Sequence, residues 1–171
     1  MCVWCEGAAT GLDGFAIEAR KEARLAGQRW EGTHADAVAG GLRDVLAALR
    51  ERILEDPAFA AGPVVVMTLA DPGGGQGDNV RCFAGARLEG GASLPDGLEE
   101  FLVPACDYAS ALHSAAEGEV IDRYAAMLDW MRTQRLARDR SQIQHREEYP
   151  LHADFARPEA LRLMVPIWPG S

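Results

Sequence analysis

One amphipathic pattern occurs twice in this chain. From Val38 the apolar residues Leu42, Val45, Leu46 and Leu49 follow at steps of 4, 7, 8 and 11, a single stripe of a helix with a 3.6-residue period. From Val120 the residues Tyr124, Met127, Leu128 and Met131 follow at the same steps, 82 residues further on. Thr33 and Asp36 have the spacing of a helix cap at the first start. The segments after each stripe also recur. Pro63 to Leu69, the turn-rich DPGGGQGDN and Val80 to Ala86 read as a β-hairpin. Ile143 to Tyr149, the long turn Pro150 to Glu159 and Leu161 to Ile167 read as another, with Arg162 lying 81 residues after Arg81.

An extended segment precedes each helix: Phe15 to Ala19 running on through Leu25 to Trp30, and Leu98 to Val103 running on through Tyr108 to His113. The pattern therefore predicts an α+β fold of two tandem β-α-β-β repeats, about 13–90 and about 95–169, joined by GGASLP at Gly90 to Pro95. Two stripes call for two matching antiparallel sheets, one long helix on each, related by a pseudo-twofold axis with a central ligand cleft between them. A single domain over residues 1–171 is expected.

Composition narrows the partners. With 48% apolar and 25% charged residues the chain is too apolar for disorder. A net charge of -9, with no Lys/Arg cluster to relieve it, repels phosphate backbones and favours a neutral or cationic ligand. The few residues before Phe15 leave no room for a helix-turn-helix, so no direct contact with nucleic acid is expected. No apolar run reaches membrane-spanning length and the N-terminus lacks a basic leader, which predicts a cytoplasmic protein without membrane contact.

Cofactor chemistry finds little footing. Cys82 and Cys106 sit in apolar surroundings and read as free thiols; Cys2 and Cys5 have CxxC spacing but no strand-to-helix context. His34, His113, His145 and His152 lack paired ligand spacing. The run Gly73 to Gly77 has no Gly-Lys-Ser/Thr ending and reads as a hairpin turn. No metal and no cofactor is expected.

Alternation along Ile143 to Tyr149 puts Ile143, His145, Glu147 and Tyr149 on one face, and Gln144, Arg146 and Glu148 on the other, read as solvent. Glu147 then points inward, where an unpaired carboxylate costs several kcal/mol and its pKa rises. The alternative is that Glu147 pairs with His145 or Arg162. Trp30, Tyr108, Phe83 and Met164 lie on the strands expected to flank the cleft, as ligand contacts or as core, whereas Trp130 is expected to pack beneath the sheet.

Taken in order, these segments resemble the GyrI-like small-molecule-binding domains, which also serve as effector-binding domains of AraC-type and MerR-type multidrug regulators. The likeness is clearest at Glu147-Glu148-Tyr149 and Pro158-Glu159-Ala160-Leu161-Arg162, and extends to Val103-Pro104-Ala105 with Tyr108 and His113. It departs at the turns before the helices, Gly32-Thr33-His34-Ala35 and Ser114-Ala115-Ala116-Glu117, and at Met164 and Pro166, where the family often has an acidic residue and an aromatic. The resemblance implies a stand-alone binder of amphipathic, cationic aromatic compounds, with Glu147 facing the cation and Tyr149, His145, Trp30, Tyr108, Phe83 and Met164 around it. It equally allows a hydrolase of cyclopropane-bearing toxins, with Glu147 moving a proton while Tyr149 or Tyr108 orients water. A third implied partner is DNA gyrase.

Overall fold

Residues 14–71 and 77–170 are described by the computed structural model of the chain. The alternating segments form β1 (Phe15–Arg20), β2 (Ala23–Thr33), β3 (Val64–Leu69), β4 (Asn79–Arg87), β5 (Glu99–Val103), β6 (Cys106–His113), β7 (Ile143–Tyr149) and β8 (Leu161–Ile167). The helical stripes form α1 (His34–Ala39), α2 (Gly41–Glu55) and α3 (Val120–Thr133). Both strands of the second hairpin have the limits that alternation predicts. Thr33 caps α1 as expected: its hydroxyl accepts from the Asp36 N–H while the Asp36 carboxylate accepts from the Thr33 N–H. No helix among the described residues is long and apolar enough to cross a membrane.

Three expectations are corrected. The extended stretch before each helix is two strands, so the first half runs β-β-α-α-β-β and the second β-β-α-β-β. The strands form one eight-stranded antiparallel sheet rather than two sheets, in the order β1-β6-β8-β7-β3-β4-β2-β5. The first helix is not continuous from Val38. Gly40 takes the left-handed conformation at φ 112°, ends α1 and opens α2, and Val38 is left exposed.

The strand order explains why one sheet replaces two. Each half lends its first strand to the other: β1 pairs with β6, and β5 pairs with β2. The remaining strands meet through β3 and β7 at the centre. On one face α2 buries Leu46, Leu49 and Ile53 against Ala26, Val64, Val66 and Ala84. On the same face α3 buries Met127 and Met131 against Ala109, Leu163 and Val165. Each such side chain stabilises the fold by roughly 1.5–3 kcal/mol. Trp130 packs here as expected, its ring 5.6 Å from that of Phe15. The reverse face holds a third cluster, Leu25, Val65, Met67, Phe83, Val103 and Ile143, to which no helix among the described residues contributes. A strongly twisted sheet of this width curls and shields such a face with its own side chains.

β2 and β4 approach closely where Gly27 lies opposite Gly85. A Cβ on Gly85 would meet the Ala26 carbonyl oxygen at 2.6 Å, whereas one on Gly90 meets nothing within 4 Å. Gly85→Ala is therefore expected to destabilise the protein by at least about 2 kcal/mol and Gly90→Ala by less than about 0.5 kcal/mol, read from urea unfolding.

Candidate functional site

Glu147 stands on the helix-bearing face of β7, opposite Val66 of β3 and Leu163 of β8. Val66 belongs to the core under α2, and Leu163 to the core under α3. The carboxylate thus occupies the seam between the two helix-covered halves. Tyr149, two residues on, packs against both cores. Two phenols grip the carboxylate. The Tyr124 hydroxyl, reaching down from α3, donates to Oε1 at 3.2 Å, and the Tyr149 hydroxyl donates to Oε2 at 2.7 Å.

Among the described residues no ion pair involves Glu147. Burial therefore pushes its carboxyl above the usual range, the two phenol hydrogen bonds only partly opposing it. Burial, followed by the charge of Glu147, raises both phenols well above the ordinary tyrosine range, so they stay protonated donors. His145 supplies no countercharge. Its Nε2 lies 2.9 Å from the Thr68 hydroxyl, and burial with the nearby charge of Arg138 lowers its pKa to about 4, so it is neutral at pH 7. Nor does Arg162, which lies on the reverse face and donates to Glu18. The alternative of a Glu147 ion pair with His145 or Arg162 is thereby overturned.

Aromatic rings frame the seam. Tyr124 and His145 lie 5.1 Å apart, and Tyr149 meets Phe155 edge-on at 5.7 Å. Arg50 of α2 stacks over Phe155 at 4.6 Å and donates to the Ala153 carbonyl, tying the long turn after β7 to the helix. The seam is only partly closed: Glu147, Tyr149, His145 and Tyr124 are each part-buried, although Glu147 lines none of three surface cavities of about 590, 640 and 740 Å³. The helix α3 packs on the sheet chiefly through Met127 and Met131, and methionine adapts to altered packing.

The remaining sequence-predicted residues do not converge on Glu147. Met164 pairs in register with Arg146, and Phe83 with Met67, so both lie on the reverse face, as does Tyr108; all three are fully buried there. Trp30 is on the helix-bearing face, but in a row running through Cys82 and Thr68 to His145, three strands away or about 14 Å. Ile143 does not share the Glu147 face. A bulge between the Thr68 and Leu69 pairings sends it into the reverse-face cluster. Tyr124 and Phe155 enter the site unforeseen. The readable signal for Tyr124 is a phenol on a core-facing stripe, which must find a partner when buried. Cys2 and Cys5 lie outside the described residues, as do four of the five residues of Gly73 to Gly77.

Arg146 and Glu148, expected in solvent, are buried on the reverse face at 6% and 5% exposure. They belong to a charged network. Glu148 is 2.8 Å from Arg146 and 3.3 Å from Arg20, while Glu18 accepts from Arg20, Arg162 and Ser110. For Glu148, burial raises the pKa but Arg146 and Arg20 outweigh it, holding the carboxyl below the usual range. Adjacent glutamates on opposite faces are shifted in opposite directions.

The sequence pattern of the GyrI-like small molecule binding domain family matches residues 15–167. No curated protein sequence matches the chain. Among solved structures, SAV2435 bound to tetraphenylphosphonium superposes with a TM-score of 0.67 at 7% identity, over 91% of this chain and 94% of that one. The EcmrR C-terminal domain gives 0.62 at 11% identity, over 90% and 96%. A hydrolase from Listeria innocua gives 0.53 at 11% identity, over 90% and 91%. The longer EcmrR chain in its DNA complex gives 0.64 at 11% identity over 90% of this chain, which spans 56% of that chain's length. At these identities the likeness is one of fold.

The paired glutamates generate opposite stability profiles. Because the folded-state pKa of Glu147 is raised, its contribution is fully present below about pH 4.3 and lost as pH rises through the folded value. Because that of Glu148 is lowered, its contribution is present above about pH 4.3 and lost as pH falls through the folded value. Thermal unfolding at pH 7 is expected to show a higher Tm for Glu147→Gln and a lower one for Glu148→Gln, both differences shrinking towards pH 4.

Proposed function

The chain belongs to the GyrI-like small molecule binding domain family, and on that footing we propose that it binds amphipathic, cationic aromatic compounds at the seam between α2 and α3, with Glu147 as the countercharge. The observation that carries this reading is a carboxylate set among neutral partners. Two phenols satisfy two of its lone pairs, and roughly two acceptor sites remain. A quaternary cation has no N–H to donate, so it is recognised by charge and by aromatic rings, and Tyr124 and Tyr149 offer rings next to the carboxylate. Each cation–ring contact is worth roughly 0.5–2 kcal/mol. SAV2435, similar in fold, is seen with a cation of this kind, tetraphenylphosphonium. Trp30, Tyr108, Phe83 and Met164 have no part in this site.

Ligand entry would part the halves at their centre. The strand order reads the same from either edge once each strand is exchanged for the one four places away in chain order, and with the offsets of 82 and 81 residues this supports an internal duplication with a pseudo-twofold axis through β3 and β7. On that reading α3 moves as the lid that carries Tyr124.

A second reading is favoured by one geometric observation, the carboxyl of raised pKa between two protonated phenols. Such a group holds its proton more readily than an ordinary carboxyl, which suits general acid–base hydrolysis with Tyr149 orienting water. A fold relative is a hydrolase. Turnover of a cyclopropane-bearing substrate that Glu147→Gln abolishes would establish it.

Titration calorimetry distinguishes charge recognition from mere filling. Tetraphenylphosphonium is expected to bind about tenfold more weakly to Glu147→Gln, equivalent to about 1.4 kcal/mol, while neutral triphenylphosphine oxide changes less than about twofold. Cation affinity in the unsubstituted protein should rise with pH as Glu147 ionises. Equal losses for both compounds would contradict the proposal.

A further inference from the structure

The reverse face carries a feature that Glu147 does not explain. At the end of the sheet where the β1–β2 turn, the start of β6 and the end of β8 meet, a cavity of about 590 Å³ opens to the surface. This volume is in the range of small-molecule sites. Its walls are largely apolar, including Ile143, Ile167, Pro104 and Pro166, and Tyr108 lines it from the interior. Tyr108 is fully buried, and among the described residues its hydroxyl has no partner in hydrogen-bond geometry, although the Arg146 guanidinium lies close enough to act on it electrostatically. Beside it the Arg146 guanidinium stacks over the phenol ring at 5.7 Å, and the Arg146 Nε is likewise buried without a partner.

Buried donors left unpaired are rare and costly in native proteins, and one on a residue of the cavity wall, with a second on Arg146 behind it, points to an acceptor supplied from outside. The charges on the wall balance, Arg20 and Lys21 against Asp107 and Asp139, and Arg20 is already engaged by Glu18 and Glu148. A ligand here needs no net charge. We propose that this cavity is a second small-molecule site, selective for a neutral, largely apolar compound bearing one strong hydrogen-bond acceptor, such as an aromatic ketone, whose oxygen accepts from the Tyr108 hydroxyl. The two faces of one sheet then sort ligands by charge, cations at Glu147 and neutral acceptors at Tyr108. Half-exposed Trp168 stands at the rim and reports occupancy by its fluorescence.

Benzophenone tests this directly, because it offers a carbonyl and cross-links on illumination, and diphenylmethane is its acceptor-free counterpart. In the full chain, benzophenone is expected to quench tryptophan fluorescence on binding and to cross-link within residues 104–108, 143 or 166–168. Tyr108→Phe should weaken benzophenone about tenfold while leaving diphenylmethane and tetraphenylphosphonium within about twofold. Ala105→Trp, at an exposed position on the cavity wall, should block benzophenone without a new demand on the core. Glu147→Gln should leave benzophenone unaffected, which separates this proposal from that for the seam. No binding of benzophenone, equal affinity for Tyr108→Phe, or cross-links confined to α3 and the helix-bearing face of β7 would overturn it.

Discussion

Two phenol hydroxyls and no cation hold the Glu147 carboxylate at the centre of the sheet. The next residue, Glu148, faces the other way and is enclosed by Arg146 and Arg20. Strand alternation turns one residue step into a change of environment, so the same functional group is destabilised as an anion on one face and stabilised as an anion on the other. The stabilised one contributes to folding. The destabilised one is kept at a cost, and a cost retained at the junction of two cores is what a ligand of opposite charge can relieve.

The position of that junction comes from how the strands are shared. Because β1 joins the second half and β5 the first, the halves interlock at their edges and meet through β3 and β7 at the middle. Each helix covers its own half, which leaves the central pair as the place where neither helix closes fully over the sheet. Tyr149 bridges the two cores there, and Tyr124 reaches it from α3. Among the described residues no helix covers the reverse face, and it is stabilised instead by aromatic and methionine packing and by the Glu18–Arg162–Arg20–Glu148 network.

Local periodicity carried much of this. The limits of β7 and β8, the cap at Thr33 and the placing of Glu147 and Tyr149 on one face of β7 all arise from patterns a few residues long. The break in the first helix was readable too, in the pair Gly40-Gly41. Local pattern does not encode which distant strand covers a residue. Arg146 and Glu148 read as solvent-facing because Arg20, which closes the network over Glu148, is 128 residues from it in the chain. Phe83 and Met164 were grouped with Glu147 because their faces depend on cross-strand register, which links Met164 to Arg146 rather than to its neighbour. The bulge that turns Ile143 away likewise has no signature within β7 itself.

In the proposed function, ligand recognition at the seam turns on the protonation of one carboxyl. Carbon-13 NMR of the Glu147 side-chain carboxyl, tracked across pH with and without tetraphenylphosphonium, measures it. The expected result is a titration above the ordinary glutamate range in the free protein that moves to lower pH when the cation binds. An ordinary titration in the free protein, or a raised one that the bound cation leaves in place, would contradict the role given to Glu147.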